Sequence, residues 1–105
     1  MAEIPIKIIE LIKKFIMELE LNNFKIQKAI LFGSYVNNSF NEWSDIDLAL
    51  VSADFEGNRF NDRQKIRKIK AKVGFSISPF PFRPEDFDSS DLFVKEILKT
   101  GVQIV

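Results

Sequence analysis

The chain contains no cysteine and no histidine. The first absence excludes a disulfide framework and thiolate-bound zinc or iron, and the second removes the commonest metal ligand and the usual general base. Any chemistry has to run on carboxylates, hydroxyls and backbone groups. Surplus charge is missing too, because fifteen Lys and Arg balance fifteen Asp and Glu. The composition therefore argues against a nucleic-acid partner held through its phosphates, and an anion site has to be local. No apolar run approaches the ~20 residues needed to cross a bilayer. The start, Met1-Ala2-Glu3-Ile4-Pro5, has neither the basic nor the apolar region of a secretory signal, so a cytoplasmic location with no membrane contact is expected. What is present suffices for one core: 105 residues, 46% of them hydrophobic, including eleven Phe. Residues 1–105 are expected to form a single domain.

From Pro5 to about Leu21, Ile8, Ile12, Phe15, Ile16 and Leu19 recur at spacings of three and four, which predicts an amphipathic helix stopped at Asn22-Asn23. Lys28–Phe32 is a short apolar run closed by Gly33, a buried strand, and Ser34 can begin a short helix or turn. Asp45–Val51 alternates polar and apolar residues and then turns wholly apolar, a second strand. After a loop over 52–60, Asn61 or Asp62 can cap a basic helix to about Lys72. Val73–Ser78 alternates with period two and predicts a third strand stopped by Pro79, with Phe75 and Ile77 on one face and Gly74, Ser76 and Ser78 on the other. Pro79, Pro81 and Pro84 then form a stiff connection, a helix spans about Asp91 to Lys99 before Gly101, and Val102–Val105 can close the sheet. Helices alternating with strands make the class α/β or α+β.

Asp45 and Asp47, two apart on a strand, project from one face and can bridge a divalent cation. Magnesium suits such a site, since it takes hard oxygen ligands completed by phosphate oxygens and water. An isolated Asp-x-Asp is more often a solvated strand face. Gly33 permits close backbone approach, and Ser34 adds a hydroxyl and an amide able to cradle a phosphate. A lone Gly-Ser is more often a plain turn. Far more specific is the pair in sequence: apolar strand, Gly33-Ser34, ten residues, then Ser44-Asp45-Ile46-Asp47-Leu48 opening a second strand.

In that combination, LFGSYVNNSFNEWSDIDLALVS at residues 31–52, the chain resembles the nucleotidyltransferases of the DNA polymerase beta superfamily, in particular the small stand-alone MNT proteins. The resemblance implies a polymerase-beta-like nucleotidyltransferase fold, a small mixed sheet of three to four strands flanked by helices. It gives Gly33 and Ser34, grouped with Ser44, the nucleotide-binding role, and makes Asp45 and Asp47 the catalytic ligands of Mg2+. The implied reaction is attack of an acceptor hydroxyl on the α-phosphorus of a nucleoside triphosphate, ATP being expected, with pyrophosphate leaving. The implied acceptor is a partner protein of HEPN type, the pair acting as toxin and antitoxin with this chain as antitoxin, in a homo- or hetero-oligomer.

One departure from the pattern matters. Active members of the superfamily usually carry a third carboxylate on the third strand, and this chain offers Gly74, Ser76 and Ser78 there. The alternative expectation is accordingly a degenerate transferase that binds and neutralises a partner. Glu85 and Asp86 would need an unusual chain reversal to substitute. Phe80, Phe82 and Phe87 suggest a docking patch, with core packing of at least two as the stronger expectation. The basic helix reads as a solvated face from which Arg59 or Arg63 could reach a triphosphate.

Overall fold

A computed structural model describes residues 4–37, 39–41, 44–74 and 76–105. In chain order these form α1 (Ile6–Leu21), β1 (Lys28–Phe32), a short 3-10 turn (Gly33–Tyr35), β2 (Ile46–Val51), α2 (Arg59–Val73), β3 (Ile77–Phe82), a second 3-10 turn (Pro84–Asp86), α3 (Leu92–Thr100) and β4 (Val102–Gln103). Helix α1 buries Ile12, Phe15, Ile16 and Leu19, the stripe set by its spacing. It ends as expected at Asn22 and Asn23. Asn23 takes φ 71°, a left-handed conformation that Asn tolerates better than most residues, and Phe24 N–H donates back to the Leu19 carbonyl. Among the described residues, no helix is long and apolar enough to cross a membrane.

The sheet has the order β3-β2-β1-β4. β1 pairs antiparallel with β2 and with β4, while β2 pairs parallel with β3, so the sheet is mixed. Helices α1 and α2 cover one face, where Ala29, Leu31, Ile46, Leu48, Leu50 and Ile77 meet the α1 stripe and Ile66 and Ile69 of α2. Helix α3 covers the other face through Val94 and Ile97, packed on Ile30, Ala49, Val51 and Phe82. The changing pattern of β2 follows from this two-sided burial. Ala49 and Val51 lie under α3, so Leu48–Val51 is apolar on both faces. Asp47 lies on the same face as Ala49, beyond the residues α3 buries, and stays half-exposed.

The third strand differs from the sequence expectation. It runs over Ile77–Phe82, not Val73–Ser78, and includes Pro79 and Pro81. Val73 belongs to α2 and Gly74 caps it, while Phe75 lies outside the described residues. The reason is that β3 is an edge strand. Ser76 and Phe82 turn their carbonyls to Ile46 and Ser52 N–H, so the even-numbered positions face β2 and residues 77, 79 and 81 face the free edge. Each proline thus lacks a donor that β2 would not have used, and two prolines on an edge also discourage pairing with another chain.

Helix α2 also starts earlier than expected. Its cap is Asn58, whose side chain accepts from Asn61 N–H. Asp62, instead of capping, is fully buried and accepts the Glu56 and Gly57 N–H groups, tying down the β2–α2 loop. Helix α3 is capped by Asp91, which accepts from Phe93 and Val94 N–H.

Candidate functional site

The end of β1 and the start of β2 meet where the two sequence motifs lie. In the β1–β2 register Phe32 is opposite Asp47, so the next residue, Gly33, arrives at the Asp47 side chain. Gly33 has φ 79°, and a Cβ on it would overlap the Asp47 carboxylate. Both properties demand glycine: the left-handed backbone and the close approach. The chain then makes a single 3-10 turn, closed by Val36 N–H donating to the Gly33 carbonyl. Ser34, half-buried, accepts from Ser39 N–H through its carbonyl. Tyr35 is buried and stacks on Phe40 with ring centroids 4.7 Å apart, which anchors the loop between the two motifs. This stack was not singled out in the sequence, although two aromatic residues flanking an Asn- and Ser-rich loop carry the signal.

Asp45, exposed, and Asp47, half-buried, stand on one side of the chain. Burial, and next the neighbouring Asp45 charge, raises the Asp47 carboxyl above its ordinary value. Among the described residues, no cation or hydrogen-bond donor neutralises either carboxylate. Two uncompensated carboxylates, beside a Gly33 backbone with no side chain between, fit a magnesium ion, which Asp45 and Asp47 would hold through hard oxygen donors. Ser44 sits in the turn just before Asp45, where its Oγ accepts from Asn41 N–H and its own N–H donates to the Asn41 carbonyl. It shapes the approach to Asp45.

On the far side of Asp47 the parallel register places Ser78. Ser78 is half-buried on the same sheet face, Ser76 precedes the strand, and Gly74 ends α2. Among the described residues, no three acidic side chains cluster tightly enough to hold a metal. Glu85 and Asp86 lie past the opposite end of β3. Phe82 pairs with Val51, four residues along from Ser78 and Asp47, a separation of about 13 Å at strand rise. Asp86 is moreover held by Arg83 at 2.7 and 3.2 Å, which lowers its carboxyl below the usual range.

Phe80, Phe82 and Phe87 are core, not a docking patch: Phe82 is buried, and the other two pack against the α3-side cluster. Phe32, Phe80 and Phe93 form a ring triad with centroids 5.3 to 5.7 Å apart, bordering Asp47 through Phe32. Arg63 lies over the Phe80 ring and Arg59 over those of Phe82 and Phe93. The sequence reading missed this triad because its members come from three elements.

A family model described as polymerase beta nucleotidyltransferase matches residues 10–105. The chain is 29% identical over 103 residues to a candidate protein adenylyltransferase, MJ0141, of Methanocaldococcus jannaschii, covering 93% of this chain and 99% of that protein. Among solved structures, a toxin–antitoxin with AMP-PNP is similar at TM-score 0.64 and 25% identity, over 89% of this chain and 71% of that one. A nucleotidyltransferase candidate from Sulfolobus solfataricus matches at TM-score 0.67 and 17% identity, over 93% and 79%, a likeness of fold.

Proposed function

Because the chain belongs to the polymerase beta nucleotidyltransferase family, we propose that it binds a magnesium–nucleoside triphosphate, ATP, and transfers AMP to a hydroxyl of a partner protein. The carrying observation is the contact of the two motifs: the Gly33 backbone lies against the Asp47 carboxylate, beside Asp45. The similarity to MJ0141 supports protein as the acceptor class. The likeness to a toxin–antitoxin structure with AMP-PNP supports ATP and a place in a toxin–antitoxin pair, and the antitoxin role beside a HEPN-type toxin rests on the resemblance of the Gly33-Ser34 and Asp45-Ile46-Asp47 motifs to the MNT proteins.

In this reading the amides after Gly33 and the Ser34 hydroxyl would orient the triphosphate, and Asp45 and Asp47 would hold its cation. The acceptor oxygen forms a bond to the α-phosphorus as the bond from that phosphorus to the bridging oxygen breaks. Pyrophosphate departs and the hydroxyl proton passes to water. Bound magnesium would supply charge neutralisation and alignment of the triphosphate. Calorimetric titration with ATP is expected to give binding that requires magnesium and vanishes in chelator, and α-labelled ATP is expected to label the co-expressed partner. An intact protein that binds ATP equally well without magnesium, or labels no partner, defeats the reading.

Ser78 favours a second reading, a transferase degenerate in turnover that acts by binding. It occupies the position beside Asp47 where the resemblance expects a third carboxylate. Ser78→Asp should raise label transfer by about 100-fold, the lower end of what a positioned proton acceptor contributes. No gain, with magnesium–ATP binding and fold retained, leaves the binding module as the better account.

A further inference from the structure

We propose that the outer face of α2 is a docking groove for an acidic segment of a partner protein, which it holds next to the Asp47 site. The proposal rests on the reading that the acceptor is a protein. Arg59, Arg63, Arg67 and Lys70 follow at spacings of four, four and three, so all four lie on one helix face, about 6 Å apart along the axis where the spacing is four. With Phe60, Gln64 and Pro79 they line a cavity of about 540 Å³ between α2 and the free edge of β3.

Three features mark this stripe as a binding surface rather than a merely solvated one. First, it is uncompensated. Among the described residues the ion pairs are Lys65 with Glu56 and Arg83 with Asp86, so the α2 cation that has a partner, Lys65, is outside the groove. Like charges one turn apart destabilise a helix, and among the described residues lining the groove there is no acidic side chain to offset that cost. Second, it is partly pre-organised: the rings of Phe80, Phe82 and Phe93 hold the Arg59 and Arg63 guanidinium groups, while Phe60 is 70% exposed beside them. Third, its wall is chemically selective. Pro79 and Pro81 remove two edge donors, which disfavours a guest added as a strand and leaves the α2 charges as the stronger attraction.

The location gives the groove its use. Pro79 follows Ser78, the residue paired with Asp47, which puts the Pro79 and Asp47 Cα atoms about 6 Å apart. Pro79 is paired with Leu48 on the α2 face and Asp47 lies on the α3 face, so a segment seated on α2 comes beside the site by crossing the β3 edge, where Arg63 reaches over the Phe80 ring on the Asp47 face. The occupant is a short acidic protein segment rather than a polynucleotide because the charge is confined. At the Arg59 end the neighbouring hollow is lined by Asp86 and Asp91, which would repel a continuing phosphodiester chain, and the whole chain carries no net charge.

The test is fluorescence anisotropy of a labelled hexaglutamate peptide at physiological ionic strength, with hexalysine and a single-stranded oligonucleotide alongside. The wild-type protein should bind hexaglutamate, and Arg67→Glu with Lys70→Glu should weaken it by about tenfold or more. Arg67→Ala with Lys70→Ala should weaken it less and serves if charge reversal unfolds the helix. Magnesium–ATP binding should be unchanged in both variants. No hexaglutamate binding, or binding that neither variant weakens, overturns the groove. Tighter oligonucleotide binding, lost in the same variants, overturns the protein partner in favour of nucleic acid. Hexaglutamate binding by a wild-type protein that fails to bind magnesium–ATP would instead sink the nucleotide reading and leave the groove standing.

Discussion

Replacing Asp45 and Asp47 together by Asn should weaken magnesium–ATP binding by more than about 100-fold, beyond the 10- to 100-fold that changes behind a metal's direct ligands already cost, while the ligand-free protein melts higher. The second effect has a definite sign. Asp47 carries a raised carboxyl, through burial and then the Asp45 charge. Its ionised form is the disfavoured one in the folded state. The stability linked to it is therefore fully present below the ordinary carboxylate value and is lost as pH rises through the raised folded value. At neutral pH the wild-type protein bears that cost and the Asn variant does not. The gain should be modest, about 2 °C, because a half-exposed carboxylate is screened by solvent. Scanning calorimetry from acid to neutral pH, without metal, should show the two melting curves converge in acid and separate as pH rises. Added magnesium and ATP should then reverse the order by stabilising the wild type alone. A double variant that melts lower at neutral pH would return the two carboxylates to a structural role.

Gly33→Ala is expected to be nearly as damaging, by another route. The residue sits at φ 79°, and its new methyl group would occupy the space of the Asp47 carboxylate. The backbone strain costs about 1–3 kcal/mol, which in a chain of this length lowers the melting temperature by about 5 °C or more. Displacement of Asp47 should add a loss of about tenfold or more in magnesium–ATP affinity, since a ligand moved by an ångström no longer bridges. Gly57→Ala is the control that separates the two consequences. Gly57 also has a left-handed backbone, φ 92°, but its added carbon would meet the Arg83 guanidinium, away from the Asp pair. It should lose stability and keep nucleotide affinity. If Gly33→Ala loses only stability, the turn is not a phosphate-binding element.

Much of the architecture was legible because it is written in local periodicity. The α1 stripe, the apolar β1 run, the half-alternating β2 and the α3 pattern ended by Gly101 each lie where spacing put them. The third strand differs because proline as a stop is a rule that holds inside a sheet and fails on an edge strand, where the odd-numbered backbone groups point away from β2. The α2 cap differs for a similar reason, with Asn58 capping in place of the expected Asn61 or Asp62 and Asp62 tying down the loop. Either Asn58 or Asp62 can accept backbone N–H groups, and which one caps depends on the path of the β2–α2 loop. For Phe80, Phe82 and Phe87 the stronger expectation, core packing, agrees with the structure, although the proline-rich setting does not reveal which element they pack with.

At the candidate site, residue types and spacing by themselves determined the chemistry on offer: carboxylates without His or Cys, a glycine before a serine, and two acids on one face. The family followed from the same residues. Tertiary structure alone decided three further matters. It put Gly33 against Asp47 through the antiparallel register and set Ser78 beside Asp47 through the parallel one. It also gathered the α2 cations at the edge of β3. The division has a physical cause. Chemical capacity and local conformation depend on a residue and its near neighbours, whereas the distance between side chains on different strands is set by pairing and by the helices that close over the sheet.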